Sequence, residues 1–112
     1  MQNVWVVGGL LGVSLCLKQD DSKVIDFNKC EFGIYYTGGN GLESTEYFTS
    51  TPNAPLGAYR FGTLLSVKCR TVTQIYVPIL YSSTGGKIYI RTKAEAGENW
   101  QSWKSISLNN LL

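Results

Sequence analysis

From residue 11 the apolar positions of this chain recur at every second residue. Leu11, Val13, Leu15 and Leu17 alternate with Gly12, Ser14 and Cys16, which is the period of a β-strand. The second set is small and so permits close approach by another chain. Polar residues 18–23 interrupt the pattern, and Asp20-Asp21-Ser22 suits a turn. The main domain is therefore placed from Val24. Asp26 stands where a cap is needed for a short helical turn over residues 27–30.

Strands are predicted over residues 33–37, 59–68, 72–77, 87–92 and 100–106. In the third of these, Val72, Gln74 and Tyr76 share one face, with Thr73, Ile75 and Val77 on the other. In the fourth, Ile88 and Ile90 oppose Lys87, Tyr89 and Arg91. A long loop is expected over residues 42–59, with a short strand at 46–50 as one option. Pro52-Asn53-Ala54-Pro55 excludes both a helix interior and a central strand there. Pro78 marks an edge or a bend. Turn residues separate the apolar runs as in a sheet meander, and no stretch carries the helical period. The expected fold class is mainly β: a small antiparallel β-sheet domain with long loops and little or no helix.

The length of 112 residues fits one such domain. Hydrophobic residues at 44% and aromatics at 12% exclude a disordered chain. The net charge of +2 comes from cations scattered along the chain with no basic stripe, so nucleic acid is not an expected partner. The three cysteines, Cys16, Cys30 and Cys69, are widely spaced, and the chain holds no His and no C-x-x-C. They read as free thiols made in a reducing compartment rather than as a disulfide framework or a zinc site. No cofactor and no metal are expected.

Catalytic groups are scarce. Without His the usual general base near neutral pH is missing, and a Ser-His-Asp or Cys-His arrangement cannot be built within the chain. The acidic pairs Asp20/Asp21 and Glu95/Glu98 fall in a polar turn and a loop, which does not set two carboxyls across a sugar. Gly38-Gly39-Asn40-Gly41 lacks the Lys-Ser or Lys-Thr of a phosphate-cradling loop. An enzyme is not expected.

Residues 2–17 form an uncharged run of sixteen. No Lys or Arg precedes it, Asp20 and Asp21 follow closely, and it falls short of the roughly 20 residues of a membrane span. Membrane insertion is therefore not expected. A secretion signal is the alternative to the preferred reading, in which residues 1–23 are assembly or anchor strands carrying Trp5, Leu11, Val13 and Leu15. Residues 24–112 then form the β domain.

From Asp26 onward, six segments fall in a recognisable order: Gly33-Ile34-Tyr35-Tyr36, Asn53-Ala54-Pro55, Gly62-Thr63-Leu64-Leu65-Ser66-Val67, Thr73-Gln74-Ile75-Tyr76, Lys87-Ile88-Tyr89-Ile90-Arg91-Thr92 and Trp100-Gln101-Ser102-Trp103. This order resembles the pyocin-knob family of phage tail fibres and R-type pyocin fibres. The resemblance covers roughly residues 24–106. Residues 1–23 have no counterpart in it, and residues 43–50 read as an insertion.

The resemblance implies a small β knob in a homotrimeric fibre, located on a virion made in the host cytoplasm and set near host-surface receptors. Tyr76, Tyr89, Arg91 and Trp100 are the candidate ligand-binding residues, because saccharides are held by aromatic faces beside polar groups. The competing reading makes them packing residues of the sheet. Gln74 is placed to satisfy buried backbone groups and Arg91 to stack on a ring. Tyr35, Tyr36 and Trp103 read as structural. Trp100 and Trp103 would point to opposite faces of a regular strand. The expected function is a non-enzymatic knob of a tail fibre or appendage that attaches to host-surface glycans, joined to other virion proteins through the N-terminal segment. The alternative is a capsid head-fibre or decoration protein with a purely structural role.

Overall fold

The computed structural model describes residues 16–17, 25–38, 43–94, 97 and 99–108. Trp5, Leu11, Val13 and Leu15, and with them the assembly role expected of the N-terminal segment, lie outside the described residues. Six strands form one sheet in chain order. They are β1 (Cys16–Leu17), β2 (Gly33–Tyr36), β3 (Gly62–Lys68), β4 (Thr71–Pro78), β5 (Lys87–Ala94) and β6 (Lys104–Ser107). From β2 to β6 every neighbouring pair is antiparallel, and β1 alone runs parallel to its neighbour, with Cys16 opposite Ile34 and Leu17 opposite Tyr35. The fold is mainly β, as the alternation of residues predicts. The described part of the N-terminal segment extends the same sheet.

The expected parity of β4 holds residue by residue. Val72, Gln74 and Tyr76 are buried, whereas Thr73, Ile75 and Val77 are half-buried on the other face. Across the sheet Tyr35, Leu64, Tyr76 and Tyr89 stand in one row. One residue along each strand, Ile34, Leu65, Ile75 and Ile90 form a matching apolar row on the opposite face.

Among the described residues no α-helix covers the core face. Asp26 caps a single 3-10 turn, Phe27–Lys29, its carboxylate accepting the Asn28 amide at 2.9 Å. Phe27 and Phe48 meet Tyr76 edge-on at centroid distances of 6.0 and 5.3 Å. All three side chains are fully buried, each stabilising the fold by about 1.5–3 kcal/mol.

Phe48 reaches the core from the irregular segment 43–61. There Tyr47 and Tyr59 form an isolated antiparallel bridge, so the strand expected from residue 59 begins only at Gly62. Where such a loop enters the core its backbone must find partners. The Glu43 carboxylate does much of this, accepting the amides of Thr49, Ser50 and Thr51 at 2.7–3.0 Å and the hydroxyls of both threonines. Burial pushes the Glu43 carboxyl up, but the Thr51 hydroxyl and the Ser50 and Thr49 amides outweigh it and hold it at about 2.

Glycine is required at position 62. A Cβ there would lie 2.5 Å from the Val77 carbonyl oxygen and 2.6 Å from Pro78 Cα.

Candidate functional site

The strongest constellation grows from the buried amide of Gln74. Its Nε2 lies within donating distance of the carbonyls of Phe27 (2.7 Å) and Cys30 (2.8 Å) and of Ser66 Oγ (3.2 Å). These bonds tie the 3-10 turn to β4 and satisfy carbonyls left over at the turn's end. They also fix the amide's orientation, which turns Oε1 toward β5, where it accepts from Arg91 Nε at 2.8 Å. Arg91 sits opposite Gln74 in the ladder. Its Nη2 donates to Asn28 Oδ1 at 2.9 Å.

The guanidinium is flanked by two indoles, with Cζ 4.0 Å from the Trp100 ring centroid and 4.6 Å from that of Trp103. This is cation–π geometry. Arg91 is only 6% exposed. Burial brings its pKa down to about 10, opposed by Asp26 and Cys30, so it stays charged at neutral pH.

The indoles are held in turn. Trp103 packs edge-on against Phe27 at 6.0 Å and donates Nε1 to the Asn53 carbonyl at 2.9 Å. Asn53 has φ of +62°, a left-handed conformation that Asn tolerates better than other non-glycine residues. Its side-chain amide returns to Asp26 Oδ1 at 2.9 Å. Asp26 therefore bonds both Asn28 and Asn53, and through them supports Arg91 on one side and Trp103 on the other.

Around this frame opens a cleft of about 480 Å³. Arg91, Lys93, Trp100 and Trp103 line it, with the amides of Asn28, Asn53, Asn99 and Gln101. Lys93 Nζ is 5.3 Å from the Trp100 ring centroid and 2.8 Å from Glu31 Oε2. Lys68 reaches the other oxygen of Glu31 at 2.9 Å. Hydrogen bonds from Lys93 and Lys68 hold the Glu31 carboxyl at about 2.

Of the four candidate ligand-binding residues, Arg91 and Trp100 meet in this cleft. Tyr76 requires a correction. It is fully buried, its hydroxyl donates to the Tyr59 carbonyl at 2.7 Å, and burial pushes its phenol well above the ordinary range. It is a core residue with no face to offer a ligand. Tyr89 is half-buried beside it, with centroids 6.3 Å apart, and lies outside the cleft lining. The opposite-face expectation for Trp100 and Trp103 also fails. Residues 99–103 precede β6 and stand outside the ladder, so strand parity does not govern them and both rings turn to the same guanidinium. Trp103, read from the sequence as structural, is both structural and cleft-lining. Asn28 and Lys93 were not singled out as ligand residues, and no local pattern marks them.

A second, apolar groove of about 390 Å³ lies at the other end of β3 and β4, lined by Tyr36, Tyr59, Phe61 and Ile79. Cys30 is buried and Cys69 exposed, and both are free thiols. Burial, with Asp26 nearby, pushes the Cys30 thiol up to about 11 against the pull of Arg91, so it stays neutral. Among the described residues no three His, Cys, Asp or Glu side chains gather into a metal-binding group. In comparisons with known proteins no family model matches this chain, and neither a curated protein nor a solved structure matches it.

Proposed function

We propose that this chain is a non-enzymatic, saccharide-binding knob module of a phage tail fibre or related appendage, acting in attachment to host-surface glycans. The observation that carries the reading is the cleft itself, where two tryptophans frame a buried arginine inside a rim of amides. Saccharide sites combine aromatic surface for C–H faces with fixed polar groups for hydroxyls. Here the polar groups are fixed in advance by the Asp26–Asn28–Arg91–Gln74 chain of hydrogen bonds, which lowers the ordering cost of binding. The segments that resemble the pyocin-knob family fall on β2 to β5, on the Asn53 turn and on the approach to β6, and those of the Asn53 turn, β5 and the approach to β6 contribute to the cleft lining.

The proposed homotrimer is supported by the apolar row Ile34, Leu65, Ile75 and Ile90. Ile106 and Val67, about half exposed at 51% and 49%, extend apolar surface at the same sheet's margins. The same surface favours the second reading, a head-fibre or decoration protein whose contacts are all with other virion proteins.

A saccharide array probed with the full chain tests the first reading. Binding that is lost with Trp100→Ala is the expected result. No binding to any saccharide, together with a mass near three chains in light scattering, would favour the second.

A further inference from the structure

We infer that the saccharide bound in this cleft is an acidic one, with its carboxylate seated at Arg91 and Lys93; this rests on reading the cleft as a saccharide site. The lining holds two cations and no carboxylate. A buried cation is ordinarily paired with an anion, because its desolvation is otherwise poorly offset. Arg91 departs from that pattern in its direct contacts, since Asp26 acts on it through space and forms no salt bridge with it. Its two hydrogen-bond acceptors, Gln74 Oε1 and Asn28 Oδ1, belong to neutral amides. The two salt bridges among the described residues both belong to Glu31 and involve lysines only. Nε and Nη2 are occupied and Nη1 has no protein partner among the described residues, so the guanidinium keeps a charged donor for a ligand.

Lys93 adds to the same potential. Glu31 divides its charge between Lys93 and Lys68, so Lys93 is only partly neutralised. It lies two residues from Arg91 on the same face of β5, with Trp100 close to both cations. An anionic group at this point would meet a fixed guanidinium and an ammonium in a partly desolvated cleft, where charge-assisted bonds are at their strongest. Exposed Asn53, Asn99 and Gln101 surround it with neutral donors and acceptors, which suit the hydroxyls of a sugar ring rather than further charge. A monocarboxylated pyranose fits this distribution better than a polyphosphate, which calls for a dense basic cluster.

The test uses the full chain and pairs of oligosaccharides: uronic-acid-containing chains, each beside its carboxyl-reduced counterpart. Titration calorimetry is expected to give at least about tenfold tighter binding to the acidic member, the gain of one charge-assisted contact. That gap should shrink in Lys93→Gln, which removes the charge and keeps a polar side chain, and should widen in Glu31→Gln, which releases Lys93. Raising the salt should narrow it as well. Equal affinity for both members would overturn the acidic assignment and leave the saccharide reading standing. An acidic preference unchanged in Lys93→Gln would overturn the seating of the carboxylate. No binding to either member or to any array saccharide would remove both.

Discussion

Two arginines stack on aromatic rings at opposite ends of β3 and β4, and their surroundings give them different roles. Arg60 lies 4.3 Å over the Phe61 ring. Its Nε donates to the Thr45 carbonyl at 2.8 Å and its Nη1 to the Gly38 carbonyl. Both acceptors are main-chain groups of loops that need partners. Arg60 is therefore a staple between two loops, beside an apolar groove. Arg91 meets its rings at similar distances, 4.0 and 4.6 Å, yet among the described residues it bonds only side-chain amides, and it lines a polar cleft. An arginine on an aromatic ring is thus not in itself the mark of a site. What separates the two ends is whether the guanidinium bonds main-chain carbonyls of loops beside an apolar groove or side-chain amides in a polar cleft.

The comparison can be broken most severely at Arg91. Arg91→Leu leaves Gln74 Oε1 and Asn28 Oδ1 without their donor and removes the contact with both indoles. Urea unfolding should show a loss of about 3 kcal/mol, together with loss of saccharide binding. A loss below about 1 kcal/mol would show that the amide network does not depend on the arginine.

Glu43→Gln is expected to cost about 2 kcal/mol, since the carboxylate takes charge-assisted bonds from three successive amides. The pH dependence has a definite sign. The folded carboxyl sits at about 2, below its ordinary 4.5. Its contribution is fully present above about 4.5 and is lost as pH falls toward 2. Amide protection factors in residues 43–61, taken relative to the intrinsic exchange rate at each pH, should therefore fall on acidification in the wild type, with a smaller fall in Glu43→Gln. Glu31 titrates over the same window, but its carboxylate is exposed and its effect on stability should be slight.

Arg60→Leu should cost about 1–2 kcal/mol by releasing two loop carbonyls. It should leave saccharide affinity unchanged, whereas Arg91→Leu should not. The smallest effect on stability is expected for Trp100→Ala. Trp100 is half-buried and outside the ladder, so its removal should cost about 1 kcal/mol or less while weakening binding at least about tenfold. A large loss of stability in that variant would move Trp100 from the site to the core.

Much of this architecture is legible in the sequence where the cause is local. Alternation in β4 places Val72, Gln74 and Tyr76 on one face, and the amide of Gln74 in an apolar row already implies a bonding duty to backbone. Asp26 ahead of Phe27 reads as a cap for the same reason. Tyr76 was misplaced as a ligand residue because its phenol is satisfied by the Tyr59 carbonyl and the Thr37 hydroxyl, groups that only the folded loops bring to it. The cleft was half legible. Arg91 and Trp100 come from neighbouring segments, but Asn28 and Asn53 reach them from 63 and 50 residues away through Arg91 and Trp103, and no periodicity encodes such contacts. The two tryptophans misled by their spacing, since parity is a property of laddered strands and residues 99–103 are not laddered.

The central claim, that the polar end binds saccharide and the apolar end does not, is tested most directly by amide and indole NMR spectra of the full chain titrated with an array-positive acidic oligosaccharide. Shifts confined to the Trp100 and Trp103 indoles, the Arg91 side chain and the amides of Asn53 and Gln101 are the predicted result. Shifts centred on Tyr36, Phe61 and Ile79, with the indoles unmoved, would contradict it.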